Sequence, residues 1–222
     1  MTTTPLTDPA PGGLSIALAG VPVVAILRAS SGERLPEVCK VLYASGVRVL
    51  EFTLTTDSAL GALTRTRDLL PADAVLGVGS VRTNEQVAVC ADAGAEFLVS
   101  PVNTPALVEE ARRRQLPYLA GALSPSEIHS AWADGAAAVK LFPAGPVGGP
   151  AYLRAVRGPL PNIPLVPTGG IDIEEVGTYL MAGATAVGLG GALQGDAANP
   201  GGDLDALAER ARRAVASAQV GS

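Results

Sequence analysis

The chain has 222 residues, a formal net charge of −5, 48% hydrophobic residues and 4% aromatic residues. This length and hydrophobic fraction suit one domain with a sizeable core and exclude extensive disorder. The acidic balance and the scarcity of aromatic side chains argue against a nucleic-acid partner, and no apolar run is long enough to span a bilayer. The first residues lack the pattern of a signal peptide, and two cysteines make no disulfide framework. We therefore expect a cytoplasmic protein that acts on small molecules, with no membrane association.

Short apolar runs alternate with segments of helical periodicity along the whole chain. Because the runs are apolar on both faces, they are typical of parallel strands covered by helices. The predicted strands are Val21–Leu27, Val47–Leu54, Ala74–Val81, Phe97–Pro101, Tyr118–Leu123, Ala138–Phe142, Leu165–Thr168 and Ala186–Leu189. The predicted helices are Arg34–Ala44, Ser58–Leu69, Asn84–Ala93, Pro105–Arg114, Ser126–Ala133, Glu174–Ala182 and Leu204–Ala216.

Eight strand and helix units in about 200 residues indicate an α/β protein of one domain, a closed (β/α)8 TIM barrel. We expect the barrel to span residues 12–218, after a mobile tail over residues 1–11. Loops are predicted at Gly148–Ala151 and Gly195–Gly202. The alternative is a doubly wound open sheet. Such a sheet more often carries a glycine-rich nucleotide motif after its first strand, where residues 27–30 here are Leu-Arg-Ala-Ser.

Two charged side chains lie inside predicted strands, and a barrel places its chemistry at the carboxyl ends of its strands. Lys140 stands among apolar residues in the sixth strand. Burial disfavours the charged form of an amine, and a neutral amine can form a Schiff base with a ketone. Glu51 in the second strand suits a general acid/base beside such an imine. The alternatives are a buried ion pair and a lysine that reaches the barrel rim.

Glycine turns follow the seventh and eighth predicted strands, at Thr168, Gly169 and Gly170 and at Gly190 and Gly191. In barrels these loops commonly bind phosphate through backbone N–H groups, although tight turns alone would also use glycine.

Two further polar residues stand at the ends of the first and third predicted strands. Arg28 suits a carboxylate, a phosphate or a surface ion pair. Ser80 suits a substrate carboxylate or a helix cap. The single histidine, His129, falls in a predicted helix, so neither a histidine triad nor a histidine-rich metal site is expected.

Eight segments in order along residues 15–215 resemble one family, the class I aldolases that cleave 2-keto-3-deoxy-6-phosphogluconate (KDPG) and 4-hydroxy-2-oxoglutarate (KHG). The lysine strand and the later Thr-Gly-Gly-Ile turn are the most specific of them. The segments are Val23–Arg28, Gly46–Leu54, Gly77–Val81, Val99–Pro101, Gly121–Glu127, Val139–Ala144, Pro167–Ile171 and Gly188–Leu193.

The resemblance implies a role for each matching residue. Lys140 falls on the Schiff-base lysine, Glu51 on the general acid/base, and Phe142 and Pro101 on residues that line the substrate pocket. The phosphate-binding turns fall on Gly169, Gly170, Gly190 and Gly191. The resemblance also implies a homotrimer that needs no metal or other cofactor and releases pyruvate from a 2-keto acid substrate.

Three positions depart from the family pattern. Thr55 stands where many members have an arginine that binds the substrate carboxylate, Ser80 replaces a threonine, and Gly191 replaces a serine. A related branch, the 6-phosphogalactonate aldolases, also lacks that arginine and carries one where Arg28 stands. These departures concern the substrate more than the reaction class.

Two other functional classes remain as alternatives at this point. One is a different phosphate-binding barrel, such as an epimerase or isomerase, which usually relies on metal-binding residues or paired carboxylates. The other is a barrel without catalysis that binds a phosphorylated sugar acid or serves as an assembly scaffold. The presence of both Lys140 and Glu51 argues against the second.

Overall fold

A computed structural model describes residues 13–220 and confirms the predicted barrel. The predicted tail at residues 1–11 lies outside the described residues. Eight parallel strands pair in the order β7-β6-β5-β4-β3-β2-β1-β8, and a bridge between Thr168 and Gly188 joins β7 to β8 around the ring. The strands are β1 (Val23–Leu27), β2 (Val49–Thr53), β3 (Val75–Gly79), β4 (Phe97–Val99), β5 (Tyr118–Ala122), β6 (Ala138–Leu141), β7 (Leu165–Pro167) and β8 (Val187–Leu189).

Ten α-helices and one 3-10 turn (Ile173–Glu175) accompany the strands within residues 13–220. None of these helices is long and apolar enough to cross a membrane. The helices are α1 (Gly13–Gly20), α2 (Leu35–Ala44), α3 (Ala59–Arg67), α4 (Asn84–Asp92), α5 (Pro105–Arg113), α6 (Pro125–Ala133), α7 (Gly149–Arg157), α8 (Val176–Met181), α9 (Gly191–Gln194) and α10 (Leu204–Val220).

The loop predicted at Gly148–Ala151 is wrong, because helix α7 begins there. Gly148 has a φ of +119° and precedes the first turn, where Pro150 stands. Proline in the first turn is a frequent helix-start signal, and the glycine-rich stretch obscures it. The loop predicted at Gly195–Gly202 is confirmed as turns.

Two apolar layers build the domain. One layer lies between the barrel strands and the outer helices. The other fills the barrel interior toward the amino-terminal ends of the strands. Leu14 and Leu18 of α1 pack into this interior layer. The remaining buried residues of that layer are Val24, Val49, Val75, Phe97, Val99, Leu119, Ala138, Val166 and Ala186. Helix α1 therefore closes the amino-terminal end of the barrel.

Strand alternation places polar groups directly above this apolar layer. Val49 belongs to the layer, and Glu51 is the next residue of β2 on the same face. Ala138 and Lys140 have the same relation in β6. Both charged side chains thus point into the barrel, toward its carboxyl end.

Candidate active site

Lys140 and Glu51 face each other across the barrel interior. The Lys140 Nζ lies 3.9 Å from Glu51 Oε1, and the two residues are 8% and 2% exposed. This distance is within ion-pair range but too long for a direct hydrogen bond. A substrate atom bonded to Nζ would therefore hold its own substituents within reach of the carboxylate.

The surroundings of Glu51 favour proton exchange. Its Oε1 is buried and accepts no hydrogen bond from any residue in the described part of the chain. Burial raises the pKa of the Glu51 carboxyl above its ordinary value, while the charges of Lys140 and Arg28 act in the opposite direction. A buried carboxyl whose protonation is balanced in this way suits a general acid/base.

Gly79 makes room for the Glu51 carboxyl. It lies on β3, where a Cβ atom would overlap Glu51 Oε1. Any larger residue at this position would push the carboxyl from its place opposite Lys140.

Phe142 forms one wall beside the lysine. Its ring centroid lies 5.4 Å from Lys140 Nζ, and the residue is 40% exposed at the barrel mouth. Gly169 packs against this ring with a φ of +89°, and a Cβ there would lie 2.8 Å from Phe142 Cε2. Glycine is thus required at Gly169 both by the turn and by the aromatic wall.

Arg28 and Ser80 offer polar groups at the ends of β1 and β3. Arg28 is exposed, and its guanidinium forms no ion pair or hydrogen bond with residues 13–220. Its positive charge nevertheless acts on Glu51 and lowers the pKa of that carboxyl. Ser80 is half-buried and turns the chain with a φ of +65°. Both residues are therefore available to an anionic group of a ligand.

The two glycine turns lie side by side at the barrel rim. Thr168, after β7, bridges to Gly188 of β8, and a Cβ at Gly188 would overlap the Thr168 hydroxyl. Gly170 has a φ of +69°, and Gly190 and Gly191 have open space among the described atoms where a Cβ would stand. This arrangement leaves backbone groups approachable by a phosphate.

The remaining predicted site residues, Thr55 and Pro101, follow β2 and β4. Thr55 is exposed in the loop after β2, and its hydroxyl donates to Thr53 Oγ1 at 3.2 Å. Pro101 is half-buried after β4, and a Cβ at Gly121 of β5 would overlap its backbone. Sequence reasoning missed Gln194, whose side chain binds the backbone of Arg28. It ends the four-residue helix α9, which is too short to show a periodic pattern.

The chemistry of this arrangement follows from its groups. A buried primary amine, a carboxyl beside it and anion-binding groups at the rim can bind a keto acid and form an imine with its carbonyl. In the described residues, no three metal-ligating side chains come together in a cluster that could hold an ion.

Comparisons with known proteins agree with this chemistry. The family model described as KDPG and KHG aldolase matches residues 15–209. The chain is 36% identical to a 2-dehydro-3-deoxy-phosphogluconate aldolase of Dickeya dadantii, covering 89% of this chain and 92% of the relative. It is 34% identical to the KHG/KDPG aldolase of Escherichia coli, covering 90% and 93%. A probable 2-dehydro-3-deoxy-6-phosphogalactonate aldolase of Rhizobium meliloti is 31% identical, covering 78% and 81%.

Solved structures point to the same family. A crystal structure of a 4-hydroxy-2-oxoglutarate and 2-dehydro-3-deoxyphosphogluconate aldolase is 35% identical with a TM-score of 0.82, covering 94% of this chain and all of that one. The KDPG aldolase of Legionella pneumophila, with pyruvate captured as a covalent carbinolamine, is 30% identical with a TM-score of 0.81, covering 90% and 96%. With the barrel, the Lys140–Glu51 pair and these matches in agreement, the chain belongs to the KDPG and KHG aldolase family.

Proposed function

We propose that this protein is a class I aldolase that cleaves a 2-keto-4-hydroxy acid to pyruvate and an aldehyde. The substrates proposed are KDPG, which yields glyceraldehyde 3-phosphate, and KHG, which yields glyoxylate. The observation that carries the proposal is the buried pair of Lys140 and Glu51, 3.9 Å apart at the carboxyl end of the barrel.

Lys140 supplies the nucleophile. Its amine in the neutral form attacks the C2 ketone of the substrate, and Glu51 returns a proton to the departing hydroxyl as the carbinolamine loses water to form the imine. Because Glu51 Oε1 has no hydrogen-bond partner in the described part of the chain, it is open to a substrate hydroxyl or a water.

The protonated imine then accepts electrons from the bond that breaks. Glu51, now a carboxylate, accepts the proton of the C4 hydroxyl as the C3–C4 bond breaks. The electron pair of that bond moves into an enamine on Lys140, and the aldehyde departs. Glu51 delivers a proton to C3, and water hydrolyses the resulting imine to release pyruvate. Glu51 thus exchanges protons with the substrate in both halves of the cycle.

Anionic groups of the substrate find partners at the rim. We assign the carboxylate to Arg28 and Ser80, and the phosphate to the turns at Gly169, Gly170, Gly190 and Gly191. Two observations on residues 13–220 support this assignment: the space at Gly190 and Gly191 is open, and the Arg28 guanidinium has no partner there. We also assign Phe142, Pro101, Thr168 and Thr55 to the lining of the substrate pocket.

A second candidate substrate is the C4 epimer, 2-keto-3-deoxy-6-phosphogalactonate. Arg28 after β1 and Thr55 after β2 favour it, because both match the pattern of that branch of the family. Cleavage rates for the two phosphorylated epimers and for KHG, measured at equal concentrations, will decide among the three. The preferred substrate is the one with the highest kcat/KM.

Borohydride trapping with pyruvate tests the reaction class directly. We expect reduction to fix a pyruvyl adduct on Lys140, located by peptide mass spectrometry. The chain contains one other lysine, Lys40, which is exposed on α2 and serves as an internal control. A folded protein that forms no adduct on Lys140 would refute the class I mechanism.

Gly79→Ala will lower kcat/KM by about 10²-fold, because the added methyl group displaces the Glu51 carboxyl from its position opposite Lys140. Gly61→Ala is the matched control. Gly61 is exposed on α3, and the nearest atom to its added Cβ is Arg65 Nη1 at 3.5 Å, an ordinary contact. Steady-state assays of both variants, with circular dichroism to check folding, measure the difference. Wild-type turnover by a folded Gly79→Ala variant would contradict the placement of Glu51.

We also propose that the protein acts as a homotrimer in the cytoplasm. The trimer is what the family resemblance implies, and the free, buried thiols of Cys39 and Cys90 fit a reducing compartment. Light scattering on the purified protein is expected to give three times the chain mass, and a monomer mass would contradict the assembly. Cell fractionation checks the compartment.

A further inference from the structure

Side chains from β2, from the loop after it and from helix α9 hold the backbone around Arg28. On the β2 side, the Thr53 hydroxyl donates to Leu27 O at 2.9 Å, and the Ala29 N–H donates to Thr56 Oγ1 at 3.0 Å. On the β8 side, the Arg28 N–H donates to Gln194 Oε1 at 2.9 Å, and Gln194 Nε2 donates to Arg28 O at 2.7 Å. The segment that carries an exposed arginine is therefore itself firmly positioned.

Gln194 is anchored in turn. It is 8% exposed, and its backbone N–H donates to Gly190 O at 2.9 Å, which spans the helix α9. Arg210 of α10 donates to Leu193 O at 2.8 Å and to Gln194 O at 2.9 Å. The amide of Gln194 thus links the glycine turn after β8 to the backbone of Arg28, 166 positions earlier in the sequence.

We propose that Gln194 is a positioning residue that sets the Arg28 guanidinium over the site for an anionic group of the substrate. The inference rests on the proposed aldolase function and adds a residue that does not itself touch the substrate. A long side chain reaches its target only from a defined backbone position, and an error of about 1 Å can cost up to about 10²-fold in catalysis. The two hydrogen bonds of the Gln194 side-chain amide fix the backbone N–H and C=O of Arg28. The backbone of Gln194 is bonded in turn to Gly190 at the start of α9.

Gln194→Met tests this proposal, because methionine has a similar length and cannot form either hydrogen bond. We expect KM for KDPG to rise about tenfold while kcat changes less than about threefold. Arg28→Met is expected to raise KM at least as much. In the double variant, Gln194→Met is expected to add nothing, because the group that it positions is already absent. An unchanged KM in folded Gln194→Met, or independent effects that multiply in the double variant, would overturn the proposal.

Two additions keep the test decisive. If Gln194→Met does not fold by circular dichroism, Gln194→Glu replaces it in the same cycle, since it retains the shape and the acceptor but loses the donor to Arg28 O. Borohydride trapping with saturating pyruvate is run on every variant. An adduct on Lys140 with no change in KM would remove only the role of Gln194, whereas a wild-type protein without the adduct would remove the aldolase function itself.

Discussion

Lys140→Arg will abolish turnover, with a loss of roughly 10⁴-fold or more in kcat. The guanidinium of arginine stays protonated at all accessible pH values and cannot attack a ketone to form an imine. The same variant will give no pyruvyl adduct after borohydride reduction. Assays with KDPG and KHG, followed by peptide mass spectrometry, measure both losses.

The control for this variant is Lys40→Arg. Lys40 is the only other lysine of the chain and is exposed on α2, so its replacement keeps charge and should leave the kinetics unchanged. Circular dichroism and thermal unfolding must show that Lys140→Arg remains folded, because the larger side chain enters a buried space. Appreciable aldol cleavage by a folded Lys140→Arg protein would rule out the Schiff-base mechanism.

Glu51→Gln will slow turnover by about 10²–10⁴-fold while pyruvate can still be trapped on Lys140. The amide preserves shape but can neither accept the proton from the substrate nor deliver it to C3. Glu209→Gln is a matched control, because Glu209 lies on α10 in an exposed pair with Arg212, where an ion pair contributes little. Unchanged steady-state kinetics in Glu51→Gln would contradict its role in proton transfer.

The pH dependence follows from the surroundings of Glu51. Burial raises the pKa of this carboxyl from 4.5, against the opposing charges of Lys140 and Arg28. As pH falls through that raised pKa, Glu51 becomes protonated and loses its function as a base, so kcat/KM decreases on the acid side. We expect the acid limb of the wild-type profile to lie above pH 4.5, and we expect Glu51→Gln to lack it. An identical acid limb in the variant would assign that ionisation to another group.

Much of the barrel could be predicted from local pattern. Parallel strands buried on both faces require continuous apolar runs, and all eight predicted runs contain the observed strands. Several predicted runs are longer than the observed strands, as at Val21–Leu27, where β1 begins only at Val23. Val21 and Pro22 are only half-buried, and their apolar side chains continue the run although they do not belong to the strand. The inward direction of Glu51 and Lys140 also follows from strand alternation.

Two helices and one close contact could not be predicted from the local sequence pattern. Helix α1 is short and broadly apolar, so its sequence does not reveal that it closes the barrel. The start of helix α7 was not predicted, because the glycines before Pro150 are typical of a loop. The space that Gly79 leaves for Glu51 depends on the register of β2 against β3, which pairs Glu51 with Gly77 and Thr53 with Gly79.

The sequence by itself therefore determined the strand and helix units, the family resemblance and the two residues that carry the proposed chemistry. Each of these can be recognised from short stretches of sequence, through apolar runs, strand alternation and local motifs. Only the tertiary structure decided the 3.9 Å separation of Lys140 and Glu51 and the contact of Gln194 with Arg28. Closure of the barrel brings together strands that are far apart in the chain, and the distances between their side chains are set by packing across the ring.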